Sequence, residues 1–235
     1  MIGEPRLHEP ECESTQELLF GHGLPEGAVA TTDHQTAGRG RLGRTWVAAP
    51  GTAVLVSVLF RPPAGRRVPE LSLVAALATA EAVELATGLS AQIKWPNDVL
   101  LDRRKVAGIL AEMRGAEVVV GIGLNVNQTS EQLPTDARTA AASLRTVTGH
   151  AHERAEVLET LLARLDEAYR QWREGGLDAI YGELGARDFL RGRRVRHDGT
   201  EASAVLVDRS GRLVLELPDG QRRAIESGEV EVVGG

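Results

Sequence analysis

The stretch Gly38-Arg39-Gly40-Arg41-Leu42-Gly43-Arg44-Thr45-Trp46 spells G-x-G-x-x-G, and whether it is a dinucleotide fingerprint decides the fold. That fingerprint needs a helix opening at its third glycine and an acidic residue about 20 positions on to hold ribose. Here Gly43 is followed by Arg44-Thr45-Trp46 and then Ala49-Pro50-Gly51, which cannot start a helix. The expected acidic position falls within Leu55 to Phe60, which holds no carboxylate. The Rossmann reading fails. No G-x-x-x-x-G-K-[ST] occurs either, so any nucleotide is held without a P-loop. What remains is a flexible loop presenting Arg39, Arg41 and Arg44. Glycines let backbone N–H groups turn inward as an anion nest, and arginines add forked contacts to phosphate or carboxylate. A solvated basic loop is the plain alternative for this segment taken alone.

Outward from the loop, Ala28–Thr32 and Val54–Phe60 are β-branched and apolar and read as strands. Upstream, Ser14-Thr15-Gln16-Glu17 has the form of a capping box, which predicts a short helix through Leu18, Leu19 and Phe20. Downstream, Leu71, Val74, Leu77, Ala78 and Leu85 predict a helix over Pro69–Thr87, stopped by Gly88. Short strands at Ala91–Lys94 and Val99–Leu101 flank Trp95-Pro96-Asn97-Asp98. Strands at Val106–Met113 and Val118–Leu124 follow. Val157, Leu161, Leu165, Ala168 and Trp172 mark a helix over Glu153–Glu174, closed by Gly175-Gly176. Beyond Phe189 short apolar runs alternate with Asp198-Gly199, Ser210-Gly211 and Asp219-Gly220, the pattern of a small all-β module. The boundary falls near Ala186, giving a larger domain at 1–186 and an appendage at 187–235.

The formal net charge is -6, which disfavours nucleic acid as the main partner. A single cysteine, Cys12, excludes an internal disulfide and agrees with a reducing cytoplasm. The longest apolar run, Val54–Phe60, is far short of the roughly 20 residues a spanning helix needs, so no membrane partner is expected. Residues 1–10 carry Glu4 and Glu9 and no apolar core, unlike a signal peptide. Of 27 basic residues only Lys94 and Lys105 are lysine. Codon bias accounts for the arginine excess but not for where the two survivors sit, close together in a motif-like region. Lysine is a compact point charge that arginine's wide fork does not replace.

Those lysines belong to the second informative segment, Lys94-Trp95-Pro96-Asn97-Asp98 followed by Lys105-Val106-Ala107-Gly108-Ile109-Leu110. Trp95-Pro96 reads as a packed turn. Two lysines around an aspartate suit an anionic reaction centre, and Gly108 inside a strand implies close approach of another group. The third segment, Gly121-Ile122-Gly123-Leu124-Asn125, is a strand whose glycines permit close packing against a ligand.

Taken in order, these segments resemble the biotin protein ligase family: Ser14-Thr15, Gln35 with Gly38–Trp46, Lys94–Asp98, Lys105–Leu110 and Gly121–Asn125. Phe189–Val233 resembles the SH3-like C-terminal domain of the same family. The resemblance implies an α+β fold, with a mixed sheet flanked by helices (class II aminoacyl-tRNA synthetase-like) and a small C-terminal SH3-like β-barrel. It implies a monofunctional member without the N-terminal helix-turn-helix repressor domain. The implied reaction activates biotin with ATP and Mg²⁺ to biotinyl-5'-adenylate. Biotin then passes to a lysine of a biotin carboxyl carrier protein domain of acyl-CoA carboxylases.

Residue by residue, the resemblance makes Lys105, Arg39, Arg41 and Asp98 the catalytic candidates. Ser14, Thr15, Gln16, Gln35, Arg39, Gly40, Arg41, Lys105 and Gly108 are expected around biotin. Arg44, Trp46, Lys94, Asn97 and Asn125 are expected around ATP, with no metal-ligating residue. Asp98 as the group that orients or deprotonates the incoming lysine follows from position and charge alone. The matching stretch for an adenine-stacking aromatic is Ala140-Ala141-Ala142-Ser143-Leu144, which has none. Two rivals differ in class. A lipoate or octanoate ligase or transferase shares the fold but not the Gly-Arg-Gly-Arg and Lys-Trp-Pro-Asn-Asp segments. A non-catalytic biotin sensor would not need Lys105, Arg39 and Arg41.

Overall fold

The computed structural model describes residues 1–135 and 139–233, so the last two residues of the expected 187–235 appendage lie outside the described ones. The larger sheet is made of β1 (Arg6–Cys12), β2 (Val29–Gln35), β3 (Ala53–Phe60), β4 (Ala91–Lys94), β5 (Asp98–Leu101), β6 (Arg104–Arg114) and β7 (Glu117–Asn125). Its order is β1-β2-β3-β7-β6-β5-β4. β1 and β2 are parallel and the remaining neighbours antiparallel, giving the mixed sheet expected. Helices α1 (Glu70–Thr87) and α3 (Arg154–Gly175) cover one face, with α2 (Leu144–Thr148) and α4 (Tyr181–Ala186) as short connectors.

The central strands are apolar almost throughout because both faces of the sheet are covered. In β3, Val54, Val56, Val58 and Phe60 join the helix-side core, while Ala53, Leu55 and Leu59 enter two smaller clusters on the other face. β7 repeats this: Val118, Val120, Ile122 and Leu124 face the helices, so Gly121, Gly123 and Asn125 face the other way. That second face carries the site.

α1 is buried from Glu70 nearly continuously to Val83. Glu70, itself buried, accepts a hydrogen bond from the Trp172 indole of α3 at 2.7 Å, satisfying both groups inside the core. Gly88 ends the helix at φ 70°, where a side chain would be strained. Leu85 departs from the expected apolar face: burial stops at Val83, and Leu85 is 65% exposed on the last turn. On α3, Val157, Leu161, Leu165, Ala168 and Trp172 are buried as their spacing predicts.

Three local expectations change. β1, which the sequence does not suggest, is an exposed edge strand held by its backbone ladder to β2, so it needs no apolar alternation. The expected helix at Ser14–Phe20 is a run of turns closed by Glu17 N–H to Ser14 O and Phe20 N–H to Gln16 O. Tertiary bonds override the capping box. Gln16 Nε2 donates into the sheet at Leu110 O (3.1 Å) and Val119 O (3.3 Å), and Glu17 turns out to two arginines. Finally, the Gly38–Trp46 loop is an ordered hairpin. Trp46 N–H reaches Gly38 O at 2.9 Å, Gly40 N–H reaches Arg44 O at 2.7 Å, and Arg39 pairs with Thr45. Its tip turns through Leu42 and Gly43, both left-handed at φ 57° and 72°.

The C-terminal sheet comprises β8 (Arg194–His197), β9 (Thr200–Val207), β10 (Leu213–Glu216), β11 (Arg222–Ile225) and β12 (Glu231–Val232). Its ladder runs β11-β10-β9-β8-β12, and among the described residues β11 and β12 form its two edges. Asp198-Gly199 is a tight turn between β8 and β9, as its sequence predicts. The sheet is tied to the larger one at β4: Ile93 N–H donates to Arg187 O, Phe189 N–H to Ile93 O, and the Trp95 indole to Gly211 O at 2.9 Å. Among the described residues no helix is long and apolar enough to cross a membrane.

Candidate active site

The non-helical face of the sheet opens into a cavity of about 620 Å³ lined by the turn at 14–16, the hairpin, β5, β6, β7 and residues 228–231 of the C-terminal sheet. Every residue expected at the site lines it: Ser14, Thr15, Gln16, Gln35, Arg39, Gly40, Arg41, Arg44, Trp46, Lys94, Asn97, Asp98, Lys105, Gly108 and Asn125.

At one end the wall is neutral and hydrogen-bonded. Gln35 Oε1 accepts from Thr15 N–H (2.9 Å) and Oγ1 (3.2 Å), and Thr15 Oγ1 lies 2.7 Å from the buried Ser57 Oγ. The middle is floored by glycine. A Cβ on Gly123 would stand 2.4 Å from Trp46 Cε2, and one on Gly108 3.0 Å from Trp46 Cζ3, so the indole lies directly on backbone. Gly38 has the same necessity at the hairpin base, where a Cβ would meet Trp46 O at 2.4 Å.

The other end is cationic. Lys105 Nζ pairs with Asp98 Oδ1 at 2.7 Å, both side chains largely out of solvent. The β5–β6 pairing sets this contact, because Asp98 stands opposite Gly108 and a register irregularity after Val99 brings Lys105 opposite Leu100. Arg41 donates to Asn97 Oδ1 at 3.0 Å, while Asn97 Nδ2 donates to Ile109 O and fixes the amide. Burial pushes the Arg41 guanidinium down from the ordinary arginine range, against the pull of Asp98. Burial likewise lowers Lys94, with Lys105 and Arg44 acting the same way and Asp98 and Glu231 opposing. Lys94 Nζ donates to Thr139 Oγ1 at 2.8 Å. Asn125 is locked between Ala142 O and Gln128 Nε2.

The three loop arginines differ in partner. Arg39 pairs with Glu17 (2.5 Å) and Glu112 (2.7 Å), and Arg44 pairs with Glu229, just before β12. Arg41 has an amide and, among the described residues, no carboxylate within ion-pair distance. Glu17, Glu112 and Glu229 are absent from the site residues expected from the sequence, where Glu17 figured only in a capping box. Scattered acidic residues in an acidic chain carry no local signal of an arginine partner. The Ala140–Ala142 stretch runs beside Lys105, with Lys105 N–H to Ala140 O and Ala142 N–H to Lys105 O, so small side chains edge the cationic end.

Unmet bonding capacity concentrates here as well. Among the described residues Arg39 Nε and Trp46 Nε1 are buried donors with no hydrogen-bond partner. A groove with one neutral hydrogen-bonding end and one cationic end suits a ligand that is apolar in its body and anionic at one tip.

Residues 10–128 match the model of the biotin/lipoate A/B protein ligase family, and residues 191–233 match the biotin protein ligase C-terminal domain. This chain belongs to the biotin protein ligases. It is 34% identical to a bifunctional ligase/repressor of Bacillus spizizenii over 99% of this chain and 75% of that one. A biotin–[acetyl-CoA-carboxylase] ligase of Paracoccus denitrificans is 36% identical, covering 95% of this chain and 98% of its own. Among solved structures, a biotin protein ligase from Aquifex aeolicus in complex with biotin and ATP superposes with a TM-score of 0.89 at 30% identity, over 99% of this chain and 100% of that one. The chain is therefore a ligase with the mixed catalytic sheet and appended β-sheet of its family.

Proposed function

We propose that this ligase joins biotin to ATP as biotinyl-5'-adenylate and passes biotin to a lysine of a biotin carboxyl carrier domain of an acyl-CoA carboxylase. One observation carries the reading: the Thr15–Gln35 pair, the Trp46 indole seated on Gly108 and Gly123, and the Lys105–Asp98 pair all line one cavity. That set matches an acid with a polar ring at one end and a carboxylate at the other.

The chemistry assigns the residues. In the first step a carboxylate oxygen attacks the α-phosphorus of ATP and pyrophosphate leaves. Both reactants are anions, so cations placed where charge develops lower the barrier. Arg41, carrying no carboxylate partner among the described residues, supplies that charge, and Lys105, held by Asp98, contacts the reacting carboxylate directly. Ser14, Thr15, Gln16, Gln35, Arg39, Gly40 and Gly108 surround biotin, and Arg44, Trp46, Lys94, Asn97 and Asn125 lie on the nucleotide side. In the second step the carrier lysine, protonated at an ordinary pKa of about 10.4, gives up a proton and attacks the acyl carbon, and AMP leaves. Asp98 orients that amine and accepts its proton.

Mg²⁺ belongs to this reading as the counter-ion that ATP brings on its phosphates. Asp98 is engaged by Lys105, and among the described residues no group of three or more His, Cys, Asp or Glu is placed to hold a metal. No step is routed through it. We place the domain boundary after Ala186, the last residue of α4, so that 187–235 form the appended module. Biotin-dependent ATP–pyrophosphate exchange tests the reading: biotin should support exchange and lipoate should not. Exchange with lipoate alone would move the chain to the other branch of the family.

A further inference from the structure

Arg39 lines the cavity, yet its guanidinium is enclosed by carboxylates. Nη1 donates to Glu17 Oε1 at 2.5 Å, Nη2 lies 2.7 Å from Glu112 Oε2, and Gln16 Oε1 stands 3.4 Å from Nη2. Glu17 also binds Arg114, whose guanidinium lies 4.2 Å from the Phe20 ring centroid. Arg39, Arg114, Glu17 and Glu112 thus form a quartet with no net charge. Such a quartet projects little field onto a reacting anion, because opposite charges at contact distance cancel beyond their own neighbourhood. What it does supply is geometry. Glu17 sits on the turn beside Thr15 and Gln16, Glu112 sits on β6, and Arg39 sits on the first arm of the hairpin. The two carboxylates fasten the hairpin arm to the turn at 14–17 and to β6.

We propose that Glu17 and Glu112 are positioning residues of this ligase: by gripping Arg39 they root the hairpin over the groove and set how long the acid and its adenylate are retained. The proposal rests on the functional reading above for what is retained, but the grip itself is made entirely by residues of this chain. Arg39 Nε is buried and has no hydrogen-bond partner among the described residues, which leaves it as a donor for a ligand oxygen. The carboxylates therefore also fix where that donor stands. Arg41, bound to an amide instead, is the arginine whose charge reaches the reaction.

The test uses the full chain with Glu17→Gln, Glu112→Gln and the double variant, beside Arg39→Ala. In the double variant biotin and preformed adenylate should dissociate about tenfold faster, equivalent to about 1.4 kcal/mol, and the biotin KM should rise in step. The loss should fall on dissociation and KM, not on the kcat of exchange. Arg39→Ala should cost less in the double variant than in the wild type, because the carboxylate substitutions have already released the grip and only the contact of Arg39 with the ligand is left to lose. A second reading needs no ligand. Trypsin cleavage after Arg39, Arg41 and Arg44 in the unliganded protein, followed by mass spectrometry, should run at least about fivefold faster in the double variant. Unchanged dissociation, effects additive with Arg39→Ala, a drop in kcat alone, or unchanged cleavage each overturn the proposal. If the wild type shows no biotin-dependent exchange, the functional reading fails, and the cleavage comparison still judges the grip.

Discussion

Gly123→Ala is the smallest change that should disturb the groove. The added Cβ would lie 2.4 Å from Trp46 Cε2 and 2.7 Å from Cζ2 and Nε1. Carbon atoms rest about 3.5–4.0 Å apart, so the indole must retreat by about 1 Å. It cannot slide freely, because Trp46 packs on Ala48, Ala53 and Leu55. Overpacking of this kind costs about 1–3 kcal/mol, offset by about 0.4–1 kcal/mol from the stiffer unfolded chain. A net loss of about 1–2 kcal/mol corresponds to a fall in Tm of a few degrees for a chain of this size. Because the displaced ring lines the cavity, the biotin KM in pyrophosphate exchange should rise about tenfold, worth about 1.4 kcal/mol. Tryptophan fluorescence reports the same event. Trp95 and Trp172 are buried, so a red shift on substitution belongs to Trp46. Gly108→Ala should be milder: its nearest contact is 3.0 Å to Trp46 Cζ3, and the next are the flexible end of Lys105 at 3.2 and 3.3 Å. If Gly123→Ala kept the wild-type KM and emission, or if Gly108→Ala were the worse of the two, the seating of Trp46 on Gly123 would be wrong.

Lys105→Arg should depress biotin-dependent exchange at least about 100-fold despite conserving charge, since a planar fork cannot repeat the point contact with Asp98 at 2.7 Å; a near-normal rate would remove the special place of that amine. Trp172→Phe deletes the 2.7 Å indole bond to the buried Glu70 and leaves a carboxylate oxygen unpaired. The cost of about 1–3 kcal/mol should lower Tm by several degrees in calorimetry, and an unchanged Tm would show that Glu70 finds another donor. Arg114 and Arg39 hold the Glu17 carboxyl at about 2, below its ordinary 4.5. A depressed carboxyl stabilises the fold above its unfolded value, and that contribution fades as pH falls from about 4.5 towards 2. Glu17→Gln should therefore differ from wild type at neutral pH and converge with it near pH 2 in acid unfolding. The difference stays small because the side chain is 38% exposed. A gap that persists at pH 2 would contradict the assignment.

The parts of the site legible in the sequence are those whose residue types are chemically demanding. Lys105, Asp98, Arg41 and the glycines at 108 and 123 stood out because few residues can replace a compact cation, a carboxylate or a missing Cβ. The helix at Arg154–Gly175 was equally readable, since its buried residues keep helical spacing over six turns. What escaped depends on contacts distant in sequence. The Ser14–Glu17 capping box is locally sound, yet Gln16 and Glu17 bind partners on β6, β7 and the hairpin, and the chain folds into turns to reach them. β1 has Pro10 and three carboxylates or histidines facing solvent, so nothing in its pattern distinguishes it from a loop. The hairpin is ordered because Gly38 and Gly40 bond across to Trp46 and Arg44, which a reading of glycine as flexibility overlooks.

The two lysines have a practical consequence. With 27 basic residues and only Lys94 and Lys105 among them lysine, both side-chain amines of the chain line one cavity. Amine-directed reagents such as succinimidyl esters, which label most proteins diffusely, become labels directed at this groove. Protection of the two lysines by a bound acid or nucleotide can then be read by peptide mass alone. The same scarcity leaves an acyl phosphate formed in the groove few amines of its own chain to attack.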